Sequence, residues 1–87
     1  MIKILHIIKK SDDFLAYDMI SRQRRNKENE VAVLLLHDAV YTPPNEDTTT
    51  FCCRDDLEAR NVTCCGNSVD YKEIVNLMLD ADSVINW

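Results

Sequence analysis

Apolar residues in this chain come in blocks separated by short polar stretches, and the blocks differ in period. Ile2 to Ile8 is a continuous apolar run rich in β-branched residues, which predicts a strand buried on both faces. Lys9 and Lys10 close it. Ser11 stands as the N-cap of a following helix, with Asp12 and Asp13 in the first turn, where the helix dipole favours acids. Leu15, Ala16, Met19 and Ile20 give that helix an apolar stripe, and Arg22, Arg24 and Arg25 end it with the favoured sign of charge. A polar loop over Asn26 to Glu30 leads to a second buried strand, Val31 to Leu36.

His37 to Tyr41 reads as a short turn or helix, and Thr42 to Asp47, with its paired prolines, as irregular chain. Thr48 to Cys53 predicts a third strand and Asp55 to Arg60 a short helix. Asn61 falls where a helix ends in a left-handed residue. Val62 to Cys65 predicts a fourth strand and Gly66-Asn67 a turn. The last helix carries clear start signals. Asp70 is its N-cap, Glu73 the capping-box partner, and Val69 and Ile74 the hydrophobic staple. Tyr71, Ile74, Val75 and Met78 form its expected apolar face. Asp80 to Asp82 end it, and Ser83 to Trp87 reads as a fifth strand.

Strands alternating with helices predict a single α/β domain over residues 1–87. Its expected form is a three-layer sandwich, a mostly parallel five-stranded sheet with helices on both faces. At 87 residues the core is modest, so partner subunits are a plausible source of further burial. Val40, Tyr41 and Trp87 are the candidates for such contacts. A composition of 46% hydrophobic and 29% charged residues describes a globular chain rather than a disordered one. The net charge of −5 disfavours direct nucleic-acid binding. No run approaches the length of a membrane span. Met1 to Ile8 is too short and too charged for a signal peptide, which leaves the cytoplasm as the expected address.

In that compartment the four cysteines should be reduced. They form two adjacent pairs, Cys52-Cys53 and Cys64-Cys65, which do not match zinc-ligand spacing, so no metal is expected. The chain has one glycine and no phosphate-binding loop, so no nucleotide or flavin cofactor is expected either.

The candidate chemistry lies at Cys53. At the carboxyl end of a strand and the start of a helix it occupies the edge where open α/β sheets place ligands. Helix N–H groups and Arg54 would lower its pKa, while Asp55 and Asp56 would oppose them. The alternative is a buried cysteine acting as a small hydrophobe. Neighbouring strand residues point to opposite faces, so Cys52 belongs to the core if Cys53 lines a site. Cys64 or Cys65 could resolve a disulfide or simply be buried. His37, at the end of the second strand, could relay a proton to Cys53 or be an ordinary surface histidine. Asp38 could cap the next turn, and His6 reads as a packed histidine. The basic cluster Arg22, Arg24, Arg25 and Lys27 serves equally well to guide an acidic partner or to solvate a helix end.

Three segments resemble one family. Val33-Leu34-Leu35-Leu36-His37-Asp38-Ala39-Val40 is similar to the "LLLxDGV" strand and turn of the DsrH/TusB sulfur-relay proteins. Asp56-Leu57-Glu58-Ala59-Arg60-Asn61-Val62 resembles their "DLxARGL" helix, and Asp70 to Trp87 resembles their last helix and strand. Ala39 and Asn61 stand where glycines are usual. Many TusB-like members lack a cysteine at the position of Cys53, whereas the sulfur-carrying DsrE/TusD subunits have one in a "C-x₆-R-G"-like context, and Cys53 to Arg60 keeps that spacing. The resemblance implies the DsrE/DsrF/DsrH fold, related to flavodoxin-like sheets. It implies a homo-oligomer or a hetero-oligomer with DsrE/DsrF-like subunits, and sulfur donor and acceptor proteins as partners. The implied function is persulfide transfer on Cys53, toward tRNA 2-thiouridine or within sulfur oxidation. A non-catalytic assembly subunit of such a complex is the alternative.

Overall fold

The computed structural model describes residues 2–11, 13–42, 48–63 and 67–87. Five strands and three α-helices alternate: β1 (Ile2–Ile8), α1 (Phe14–Arg24), β2 (Asn29–Leu35), β3 (Thr49–Cys53), α2 (Arg54–Ala59), β4 (Asn67–Val69), α3 (Tyr71–Asp80) and β5 (Ser83–Asn86). A short 3-10 helix, His37–Tyr41, follows β2. The strands form one sheet in the order β4-β3-β2-β1-β5, and every pairing is parallel. This is the expected five-stranded sandwich.

The two faces of the sheet carry separate cores. Val31, Val33, Leu35 and Cys52 point to one face and pack with Ala16 and Ile20 of α1, Ala39 and Val40 of the 3-10 helix, and Leu57 of α2. Leu5, Ile7, Leu34 and Cys53 point to the other and pack with Val69 and with Ile74 of α3. The period-two alternation of side chains thus separates Cys52 from Cys53. Among the described residues α3 is the helix on this face, and a groove remains beside it, lined by Leu5, Ala32, Phe51 and Leu77.

Several sequence expectations change. The cap of α1 is Asp13, which accepts the Ala16 N–H at 3.2 Å. Ser11 lies before the helix, and its carbonyl accepts the Thr42 hydroxyl. Of the stripe on α1 only Ala16 and Ile20 are buried, while Leu15 and Met19 face solvent. Asp70 caps α3 as expected, taking the Glu73 N–H at 2.8 Å, and the staple residues Val69 and Ile74 lie in one cluster. The buried side of α3 is nevertheless Ile74 with Leu77, and Tyr71, Val75 and Met78 are exposed.

The largest correction concerns the fourth strand, which runs over Asn67–Val69 and not from Val62. Asn61 is left-handed, with φ 52°. Its N–H bonds Glu58 O at 3.2 Å, and the Val62 N–H reaches back to Leu57 O at 3.0 Å. This is a Schellman ending, in which the residue after the left-handed one packs on the helix it terminates. Val62 joins Leu57 in the α1-side core. It is apolar because it stops a helix, not because it starts a strand. β4 instead has polar Asn67 and Ser68 and a single buried side chain, Val69, so backbone pairing to β3 defines it. The expectations for Cys64, Cys65 and Gly66, and for 43–47, lie outside the described residues.

Of the proposed contact residues one is internal and one is half-buried. Val40 is buried. Trp87 packs against the α1-side core and donates its indole N–H to His6 at 2.9 Å. Tyr41 remains exposed. No helix among the described residues is long and apolar enough to cross a membrane.

Candidate functional site

Parallel strands bring their carboxyl ends to one edge, and there β2 and β3 lie side by side, with Leu35 opposite Cys52. Each is followed at once by a helical turn, so His37 and Cys53 come to the same rim. Cys53 closes β3 and is the N-cap residue of α2, with extended backbone angles and no side-chain cap hydrogen bond. His37 is left-handed, with φ 50°. Ala39, two residues on, stands where the similar family usually has glycine, which would matter if the backbone there were left-handed. The left-handed residue of this turn is His37, so Ala39 carries no such cost.

Asp56, in the first turn of α2, joins the two. Its Oδ2 accepts the His37 backbone N–H at 2.9 Å. Its Oδ1 lies 3.8 Å from His37 Nδ1 and 3.4 Å from Arg60 Nη1. Arg60 reaches in the other direction as well, donating from Nε to Asp38 at 3.1 Å. One turn of α2 separates Asp56 from Arg60, so both side chains project from the same flank. The sequence marked Cys53 and His37. It did not mark Asp56 as their common partner, although a left-handed turn opposite a helix start, with an orphan N–H to satisfy, calls for such an acceptor.

The thiol of Cys53 is 1% exposed. Burial pushes its pKa up. The Asp56 N–H works against this, but the nearby Asp56 carboxylate, which favours the protonated thiol, adds to the upward shift; the Asp55 N–H is a smaller opposing influence. The sequence left open whether the helix start or the neighbouring acids would win. The amides favour the anion but are outweighed by burial and by Asp56. For Asp56, burial opposes ionisation; the His37 N–H, the Cys53 S–H, and the His37 and Arg60 charges together hold its carboxyl below the usual range. The rim at rest is an ionised carboxylate beside a protonated thiol.

Cys53 is the free cysteine among the described residues. Cys52, on the opposite face, is disulfide-bonded, where a reduced thiol was expected. His6 is fully buried, bonded to Gln23 of α1 and to Trp87, and takes no part in the rim. Among the described residues no group of three or more His, Cys, Asp or Glu side chains is placed to hold a metal ion.

The described strands thus form an all-parallel sheet in the order 4-3-2-1-5, with helices on both faces, the architecture of a compact α/β sandwich. The solved structure of the ychN protein from E. coli matches it with a TM-score of 0.79 over 100% of both chains, at 16% sequence identity. At that identity the likeness establishes the fold. No family model matches the chain, and no curated protein does so by sequence.

Proposed function

We propose that this protein is a sulfur-relay subunit of the DsrH/TusB kind that carries persulfide sulfur on Cys53. The observation that carries the reading is the meeting of Cys53 and His37 around Asp56 at the carboxyl edge of the sheet. The transfer is an exchange at sulfur. Cys53 sulfur attacks the outer sulfur of a donor persulfide, the S–S bond of the donor breaks, and a new S–S bond forms on Cys53. The donor leaves as a thiol, taking the proton that Cys53 gives up, so no net oxidation occurs. His37 is the proton relay between the two sulfurs. Delivery to an acceptor thiol repeats the exchange in the opposite sense, toward tRNA 2-thiouridine or within sulfur oxidation, in the cytoplasm. The net charge of −5 fits protein partners better than direct contact with RNA.

Assembly belongs to the same reading. Tyr71, Val75, Met78 and Leu79 of α3 are exposed together, and an apolar helix flank of this kind suits a second copy or a DsrE/DsrF-like subunit. A second reading, a non-catalytic assembly subunit, draws on the burial of the Cys53 thiol and the upward shift of its pKa.

Intact-mass measurement after incubation with a cysteine desulfurase and cysteine separates the two. The carrier reading expects added sulfur that reduction removes and that Cys53→Ser lacks. A folded protein with Cys53 reduced that gains no sulfur would leave only the assembly subunit.

A further inference from the structure

Asp56 does more than join His37 to Cys53, because its own charge is shared out along a chain of contacts. Arg60 divides its guanidinium between Asp56 at 3.4 Å and Asp38 at 3.1 Å. The two carboxylates differ in access: the Asp56 side chain is 18% exposed and that of Asp38 is 68% exposed. A cation brought to Asp38 from solution therefore competes with Arg60 for the outer carboxylate and releases Arg60 to the inner one. Asp56 then offers less net negative charge to the sulfur beside it.

We propose that Asp56 is a positioning residue that holds Cys53 as a resting thiol, and that a sulfur donor presenting a lysine or arginine to Asp38 frees Arg60 to neutralise Asp56 and so activates the sulfur. The relevance of this device to transfer rests on the carrier reading; the coupling between the residues does not. Other charged or titratable groups among the described residues also face this region. Arg54, at the start of α2, is engaged with Glu73 of α3 at 4.0 Å. Asp55 brings the partial positive charge of its backbone N–H near the sulfur, a small influence toward the anion. From α3, the exposed Tyr71 phenol senses the charge of Cys53, Asp55 and Asp56. From the turn after β2 come His37 and Asp38.

The test is a spectroscopic titration of the thiolate, read as ultraviolet absorbance against pH and corrected by subtracting the Cys53→Ser protein. The device demands shifts of opposite sign. Asp56→Asn should lower the Cys53 midpoint by about one unit, as removal of an adjacent like charge does. Asp38→Asn, which mimics a docked donor, should lower it in the same direction. Arg60→Gln should raise it. A purely structural role for these residues would not produce opposite signs. An unchanged or raised midpoint in Asp38→Asn overturns the proposal, and that variant decides the matter alone if Asp56→Asn does not fold. Sulfur loading is scored separately: failure to load with the shifts intact would sink the carrier reading and leave the coupling standing.

Discussion

Trp87 donates its indole N–H to Nδ1 of His6 at 2.9 Å, and this bond fixes the tautomer of a fully buried imidazole. Indole is a donor only. Nδ1 must therefore be unprotonated, and the ring proton sits on Nε2, which donates to Gln23 Oε1 at 2.5 Å. The two ring planes lie within 19° of each other, with centroids 6.1 Å apart, as an in-plane bond between ring edges requires. Every polar atom of the imidazole is satisfied in its neutral form, and a second proton would set two donors against each other.

Stability should therefore depend on pH through His6. Burial holds its pKa below the ordinary value of 6.5, and the Gln23 bond offsets this only in part. The unfolded chain takes up the proton first, so the contribution of this site is complete above about pH 6.5 and is lost as pH falls through the folded value. Thermal unfolding followed between about pH 7.5 and 5.5 should show a falling midpoint in wild type and a flatter curve in His6→Gln. Equal slopes in the two proteins would remove His6 from the explanation.

The helix ending at Asn61 gives a second prediction. Its φ of 52° suits glycine or asparagine and penalises a branched side chain. Asn61→Gly should leave stability unchanged or slightly raised, and Asn61→Val should cost about 1–2 kcal/mol in urea denaturation. Comparable losses in both variants would mean that the asparagine side chain, rather than its backbone angle, matters there.

The same residue shows where the sequence was legible and where it was not. Asn61 was readable as a left-handed stop because few residue types tolerate that geometry. The consequence for Val62 was not, because an apolar residue after a helix looks the same whether it begins a strand or packs back on the turn it follows. β1, β3 and α3 were legible because a buried parallel strand and a capped helix each leave a dense local signal. The true β4 left almost none, being held by pairing to β3 and a single buried valine. At the rim, Cys53 and His37 stood out by chemistry and position. Asp56 did not, because its role depends on His37 presenting an N–H 19 residues away. The internal bond of Trp87 was not legible either, since nothing local reveals that a histidine in β1 supplies its partner.

The exposed flank of α3 carries the third prediction. Tyr71, Val75 and Met78 follow one another at spacings of four and three, which sets them in a line along the helix. A solution-scattering mass at micromolar concentration should exceed that of the 10.1 kDa chain. The double substitution Val75→Asp, Met78→Asp should bring it down to the monomer with the thermal midpoint little changed. A monomeric wild type would dispose of the assembly claim.

The adjacency of β1 and β5 has a kinetic meaning. Asp82 accepts the Lys3 N–H, and the Asp82 N–H returns to the Lys3 carbonyl, across 79 positions of chain. Few contacts in a domain of this length span more sequence, and closing so long a loop must precede any gain from the pairing. A chain emerging from the ribosome can set β2 beside β1 early. It must wait for residue 83 and beyond before the other side of β1 is covered, and until then the strand that holds His6 remains an open edge.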